Sequence, residues 1–523
     1  MSGGLTYGDL ITEAFDRYAG REAFVDGDRR VTYAEAGDLT GRIQQVLLTR
    51  GLRAGGALAA LSPNAPEVYF AQAAAFLLGA RYSGLHPMGS VDDHVFLCDD
   101  AEIEILVVHP DFLATGVAVA ERARTVRHLL TIGPADAGED LLAACAALSP
   151  ATGTAGLRAP AIDEEAIAWV QYTGGTTGRP KGAMLSHRAL VQEVQSCLSS
   201  WGIPERPRYL ASSPITHAAV LPVLPTLTRG GTVVLHRSFD PEAWLHALAA
   251  ENINYAFVVP TMLYTMLDRV DLTRFDTSSL ESLVYGAAPM TPSRIAETQQ
   301  AFGPVVMQAY GQTESVGMAT TLRKDEHDPV GRPGLLSSCG RSVAGVRIEL
   351  LDSDGQLVPN GEVGELSIQS RVVMSGYWRR PEETAEALRD GWLRTGDMAL
   401  RDPEGFLHIV DRKKDMIVTG GFNVYPREVE DVIAAEPGVS SVAVIGVPDE
   451  RWGEAVTAFV VARPGAEPPD PAALIAAVRA RKGPHQAPKR VELVAELPKT
   501  SVGKIDKKAL RATAWAGRDR LVH

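Results

Sequence analysis

Eleven residues, Tyr172-Thr173-Gly174-Gly175-Thr176-Thr177-Gly178-Arg179-Pro180-Lys181-Gly182, gather the groups that a bound polyphosphate would need. Glycine at four of these positions lets the main chain take up conformations closed to other residues and come close to a ligand. The hydroxyls of Thr173, Thr176 and Thr177 can donate to phosphate oxygens, and Lys181 adds a mobile positive charge. The stretch is not the nucleotide loop of kinase-type NTPases, because the residue before Lys181 is Pro180 and Gly-x-x-x-x-Gly-Lys-Ser/Thr cannot be fitted. A plain Gly/Thr turn accounts for Gly174-Gly175 but not for the whole string. The apolar run Ala166 to Val170 predicts a strand leading in, and Ser186 is placed to cap a helix leading out.

Such a loop needs a scaffold, and the following sequence supplies an alternating one. Strand-like runs at Gly231 to His236, Tyr255 to Pro260, Ser282 to Tyr285 and Pro304 to Gln308 are separated by helical runs at Pro241 to Ala250, Met262 to Val270 and Ser293 to Phe302. This alternation predicts parallel strands joined by helices, hence a layered α/β domain with ligands at the carboxyl ends of its strands. Two glycine-containing segments fall at such ends, Tyr285 to Met290 and Tyr310 to Ser315. Upstream, Thr32 opens a helix through Arg50, and Pro66 to Leu78 reads as a buried, Ala-rich helix. Gly133 to Pro160 has the composition of a surface excursion. A Gly-punctuated, β-rich unit is expected from Gly340 to Gly376. The C-terminal part holds a helix at Pro426 to Ala435, strands at Ser441 to Ile445 and Val456 to Val461, and a Lys/Arg-rich tail, a separate small unit by size.

Bulk properties narrow the ligand. At 523 residues the chain exceeds one core, and 45% hydrophobic with 22% charged residues is ordinary for a folded protein. A net charge of −13 argues against nucleic acid or an anionic membrane as partner, so a small nucleotide in a local basic pocket is favoured. Cys98, Cys145, Cys197 and Cys339 lack metal-site spacing and read as buried small hydrophobes. The N-terminus lacks the pattern of a signal peptide, and the most apolar window, Val68 to Ala80, is broken by Gln72 and too short to span a bilayer. A cytoplasmic protein is expected.

Five motifs, in order and spacing, resemble those of the adenylate-forming superfamily of acyl-CoA synthetases, adenylation domains and beetle luciferases. They are the Tyr172 to Gly182 loop, Tyr310 to Ser315, Thr395-Gly396-Asp397, Asp411-Arg412-Lys413-Lys414-Asp415 and Pro498 to Ile505. The resemblance covers nearly the whole chain. It implies a large N-terminal domain (1–411) of layered α/β subdomains plus a β-rich subdomain, and a small mobile α+β lid (412–523). It also implies ATP, magnesium and coenzyme A as cofactors. Thr173, Thr176, Thr177 and Lys181 would hold the β- and γ-phosphates within the Gly174, Gly175 and Gly178 frame; Glu314 would associate with magnesium and Thr313 with the α-phosphate. Gly286, Ala287 and Ala288 would floor the adenine, with Tyr310 and Gly311 beside the nucleotide, and Asp397 and Arg412 would take the ribose. Lys504 matches the lysine that reaches from the lid to bridge carboxylate and phosphate, and Lys414 the hinge. Gly420-Gly421-Phe422-Asn423 would then build a pantetheine tunnel once the lid rotates.

The same resemblance places the acyl pocket along Ser212 to Leu224 and around Tyr285 to Ser315, with His217 as the gate near the carboxylate. A packed histidine is the equal alternative for His217 from its own sequence. No acidic residue stands in Ser212 to Leu224, which disfavours an amino acid; small residues at Ala218, Ala219 and 286–288 leave room for a bulky hydrophobic acid. Val220 stands where many relatives carry glycine. The expected enzyme is an acyl-CoA synthetase, an AMP-forming acid–thiol ligase acting on a bulky hydrophobic carboxylic acid, a small-molecule partner, with a homodimer as its assembly. The rivals are a carrier-protein loader, a ligase that performs thioesterification on a preformed acyl-adenylate, a luciferase-like oxygenase, and a nucleotide-binding protein without catalysis.

Overall fold

The computed structural model describes residues 4–148, 161–173, 180–412, 415–420, 422–449, 451–500 and 505–515. Gly174, Gly175, Thr176, Thr177, Gly178, Lys413, Lys414, Gly421 and Lys504 lie outside them.

Two sheets form the body. Among the described residues, a nine-stranded sheet holds Arg208–Ala211, Thr232–Leu235, Tyr255–Val258, Ser282–Gly286 and Val306–Tyr310, paired in parallel as the alternating pattern requires. An eight-stranded sheet centres on Ala57–Leu61, Arg81–Gly84 and Ile105–Val108, again parallel. Strands such as Ala57–Leu61 and Ile105–Val108 are buried at every residue, which is why they read as continuous apolar runs. Thr32 and Glu35 form a reciprocal cap on helix Tyr33–Thr49, and helix Pro66–Leu77 is buried on all sides.

The two sheets are stitched by Asn64, 3% exposed, just beyond Ala57–Leu61. Its Nδ2 donates to the carbonyls of Ser213 (2.8 Å), His236 (3.0 Å) and Ala211 (3.3 Å), and its Oδ1 accepts from the Ile215 amide (2.8 Å). The carboxyl ends of strands in both sheets are thereby held side by side.

A third, five-stranded antiparallel sheet contains Val346–Leu351, Val363–Ser370, Trp392–Arg401 and Leu407–Arg412, so the expected β-rich unit extends well beyond Gly376. The fourth, also five-stranded, lies in the C-terminal part and packs helices Pro426–Ala434 and Pro471–Lys482 over Val439–Asp449 and Gly453–Ala462. This part touches the body through Arg427 to the Met290 carbonyl (2.9 Å), Arg463 to Glu297 (3.0 Å) and Ser440 to Asp268 (3.0 Å).

Two expectations need correction. The stretch after Gly133 is not all surface excursion: strand Glu139–Asp140 extends a parallel edge, and Asp140 caps helix Leu141–Ala146, which buries Leu141 and Cys145. The basic tail is not plain tail either, since Lys507–Ala514 is helical, with Lys507 held to Glu430 at 2.6 Å. All four cysteines are buried, as expected. Among the described residues no helix is long and apolar enough to cross a membrane.

Candidate active site

Strands Ser282–Gly286 and Val306–Tyr310 run in parallel with Gly286 opposite Ala309, so both glycine-containing segments leave the sheet together. A Cβ at Gly286 would lie 2.7 Å from the Ala309 carbonyl oxygen, so the close approach admits glycine alone. Ala287 follows in the left-handed region (φ 66°), which keeps this ledge free of large side chains.

Asp397 reaches the same place from the third sheet. In the hairpin of Trp392–Arg401 and Leu407–Arg412 it stands opposite Arg412, whose Nε donates to Asp397 Oδ1 at 3.1 Å. Asp397 Oδ2 accepts from the Tyr310 hydroxyl (2.6 Å) and from Gln312 Nε2 (2.7 Å), and Gln312 also donates to the Thr395 carbonyl (2.9 Å). Asp397 is only 4% exposed, so these donors offset the loss of water around its charge. Burial and the neighbouring Asp397 push the Tyr310 phenol well above its ordinary pKa, so it remains a donor.

The phosphate-loop candidate is anchored where it is described. Thr173 and Lys181 face one another as the closing pair of the hairpin Ile167–Thr173 and Lys181–Ser186, and Ser186 caps the next helix through the Ala189 amide. Lys181 Nζ lies 5.3 Å from the centre of the Tyr377 ring and 3.9 Å from Glu383. The Tyr377 hydroxyl donates to Glu314 Oε1 at 2.7 Å. Strand Gly376–Tyr377 is itself paired to Lys181–Ser186. One phenol therefore links the base of the loop to the acidic turn Thr313–Ser315. With one carboxylate at this turn, the donor set fits magnesium, which takes one or two protein carboxylates and otherwise waters and phosphate oxygens. No group of three potential metal ligands exists among the described residues.

His217 lies in the turn after Arg208–Ala211. A Cβ at Gly84 would come within 2.4 Å of the Thr216 carbonyl oxygen, and one at Gly317 within 2.7 Å of Leu221 Cδ1. The His217 turn thus abuts both the end of Arg81–Gly84 and the turn that carries Glu314. His217 Nδ1 is 3.0 Å from Thr216 Oγ1. Burial lowers the pKa of His217 to about 3, helped by His86 and His94, so its ring is neutral. Val220 is 2% exposed within the main core, which places its isopropyl group in packing.

In the C-terminal part, Gly420 (φ 57°) donates its amide to the Trp452 carbonyl at 2.8 Å, and a Cβ there would meet the Trp452 ring at 2.8 Å. Arg451 and Lys489 stand 4.8 and 5.1 Å from the centre of that ring. Phe422, 58% exposed, tilts against His485 at 5.3 Å. At the start of the expected hinge, buried Asp411 accepts from the amides of Arg412 (2.7 Å) and Arg427 (2.9 Å), and burial raises its pKa to about 6.

The structure brings together Gly286, Ala287, Tyr310, Asp397 and Arg412 at one end, and Thr173, Lys181 and Glu314 beside them. Sequence reasoning missed Gln312, Tyr377, Glu383, Trp452 and Lys489. Gln312 sits inside a segment already singled out; the others carry no local signal beyond Gly376 before Tyr377.

The family model for AMP-binding enzymes matches residues 11–378, and that for the AMP-binding enzyme C-terminal domain matches residues 428–504. The chain is 41% identical to the medium/long-chain-fatty-acid–CoA ligase FadD8 of Mycobacterium tuberculosis, over 98% of this chain and 91% of that one. It is 37% identical to a feruloyl-CoA synthase from an Amycolatopsis species, covering 93% and 94% of the two chains. The amide bond synthetase McbA from Marinactinospora thermotolerans superposes with a TM-score of 0.88 at 36% identity, covering 97% of this chain and 99% of that one.

Proposed function

The chain belongs to the AMP-binding, adenylate-forming enzymes, acid–thiol ligases by class, and from that premise we propose that it joins a bulky hydrophobic carboxylic acid to AMP and then to coenzyme A. A free carboxylate is a poor electrophile, because its charge repels nucleophiles and oxide is a poor leaving group. Attack of the acid on the α-phosphate of ATP releases pyrophosphate and leaves a carbonyl carbon attached to a good leaving group. Thr173, Thr176, Thr177 and Lys181 bind the β- and γ-phosphates, and Thr313 contacts the α-phosphate. Gly286, Ala287 and Ala288 lie under the adenine, and Asp397 with Arg412 holds the ribose. Magnesium at Glu314 would neutralise charge on the phosphates. Lys504, on a lid that begins at residue 412, bridges carboxylate and phosphate in the first step and withdraws for the second.

The observation that carries this reading is the Asp397 cluster. A carboxylate this buried, with Tyr310, Gln312 and Arg412 fixed on it at the ends of two strands, is a preorganised acceptor beside a ledge of small residues. A hydrophobic acid is favoured over an amino acid because Ser212 to Leu224 offers no carboxylate to an ammonium group. A thiol carried on coenzyme A is favoured over a free amine by the C-terminal part: Arg451 and Lys489, both over the Trp452 ring, gather two positive charges beside Gly420 that suit the phosphates of the carrier.

The test is pyrophosphate release across a panel of carboxylic acids, with coenzyme A, with an amine, or with neither. Acid-dependent release, with thioester formed only when the thiol is present, is expected. Lys504→Ala should lower adenylation by about a thousandfold, the scale of a lost transition-state contact, while thioester formation from supplied acyl-adenylate continues. Loss of both steps together would overturn the division of labour, and absence of release with every acid would overturn the activity.

A further inference from the structure

A cluster of three histidine rings surrounds His217, and its other two members, His86 and His94, are not used above. His86 follows strand Arg81–Gly84, His94 lies in the first turns of helix Val91–Asp100, and His217 follows Arg208–Ala211. The His86 and His217 rings pack edge to face with centres 4.7 Å apart. The His94 ring fills the space beside Gly89, where a Cβ would come within 2.5 Å of its Cε1 and 3.1 Å of its Nε2. Residue 89 is thus small because His94 occupies the space beneath it.

The hydrogen bonding within the cluster is incomplete. The Met88 amide donates to His86 Nδ1 at 3.2 Å, which makes that nitrogen an acceptor and leaves the proton of the neutral ring on Nε2. Burial lowers the pKa of His86 to about 4 and that of His94 as well, consistent with uncharged rings. His94 is 3% exposed, yet its buried Nε2 has no partner among the described residues. Such a group costs about 1–3 kcal/mol until a partner arrives. Asp93, the nearest formal charge on the same helix, is bonded to Ser90 at 2.7 Å. At the tip of the loop the Met88 side chain is 77% exposed.

Resting on the carboxylate-activating reading, we propose that His86, His94 and His217 form a subsite for an uncharged, oxygen-bearing part of a ligand, with His86 Nε2–H as the donor. Neutral ring donors suit an amide, ether or hydroxyl oxygen better than a phosphate or a second carboxylate, which call for a cationic partner. Two ligands of the reaction can offer such an oxygen: the amide run of a pantetheine thiol, or a substituent on the acid.

His86→Phe and His94→Leu keep the bulk of the rings and remove their nitrogens. Thioester formation is measured with coenzyme A and with ethanethiol, which has no amide. Pyrophosphate release is measured with paired acids that differ by one hydroxyl or methoxy group. The expected result is a selective change of about tenfold for His86→Phe, the scale of one hydrogen bond, with a smaller change in the same direction for His94→Leu. A raised KM for coenzyme A against an unaltered one for ethanethiol identifies the thiol as the source. A lowered kcat/KM for the oxygenated acid alone identifies the acid. Parallel changes within both pairs, or no change in folded variants, overturn the subsite. A wild-type enzyme that releases no pyrophosphate with any acid overturns the function it rests on, whereas active enzyme with unaltered selectivity overturns the subsite alone.

Discussion

The Asp397 end of the cleft and the histidine corner are built on opposite plans. Around Asp397 both carboxylate oxygens are engaged, by Arg412 on one and by Tyr310 and Gln312 on the other, before any ligand enters. In the corner, His94 Nε2 is buried without a partner, and the proton on His86 Nε2 points away from the one backbone bond that the ring makes. Internal hydrogen bonds hold a group in one geometry, which suits a ligand that never varies. Unfilled positions suit a ligand that brings its own partner, and they confer selectivity because the wrong ligand leaves them unfilled.

The largest test of this contrast is Asp397→Ala. It leaves Arg412 without its carboxylate and removes the acceptor of Tyr310 and Gln312; because Arg412 is half exposed and water can replace its partner, the cost falls below the about 3–5 kcal/mol of a fully buried pair. The expected fall in kcat/KM for pyrophosphate release is about 10²–10³-fold. A fall under threefold would mean that the cluster is structural. Tyr377→Phe is gentler: the ring stays near Lys181 while Glu314 loses the hydroxyl at 2.7 Å. One hydrogen bond to a charged group predicts about a tenfold drop, with a higher magnesium requirement. An unaltered magnesium titration would detach Tyr377 from the phosphate end.

Glu193 sharpens the comparison from outside the cleft. It is 1% exposed and bonded to Cys197 Sγ at 3.0 Å, and burial raises its pKa to about 8 from the ordinary 4.5. Between those values the folded chain keeps a proton that the unfolded chain has lost, so its contribution is full below pH 4.5 and disappears as pH rises through 8. Glu193→Gln should remove that part of the fall in thermal stability with rising pH and leave every KM as it was. A change in KM would show that a buried polar group need not face the cleft to serve it.

Much of this could be read from the chain because local chemistry and tertiary role coincide. Helix Pro241–Ala250 has the bounds its sequence predicts, and Thr32 opens its helix as expected, with Glu35 completing a reciprocal cap beyond that expectation. The Asp397–Arg412 pair was reachable through its motifs, although only the hairpin register sets the two residues opposite each other. Helix Leu141–Ala146 escaped because six residues are too few for periodicity amid Ala, Gly and Ser. Helix Pro471–Lys482 was missed despite the cap at Asp470 and the proline after it. Tyr377 could not be seen at all, since a two-residue strand carries no pattern and its partners Lys181 and Glu314 come from two other segments. His86 and His94 were invisible for the same reason: their relation to His217 exists only across the join of two sheets.

The carboxamide of Asn64 has a further consequence. With its amide shared among three carbonyls of the neighbouring sheet and its oxygen taken by Ile215, the two plates cannot glide past each other without losing all four contacts at once. The gap between them is therefore a fixed gauge. Variation at this seam then falls to the side chains along its edges, since the main-chain spacing beside Asn64 is set by these four bonds.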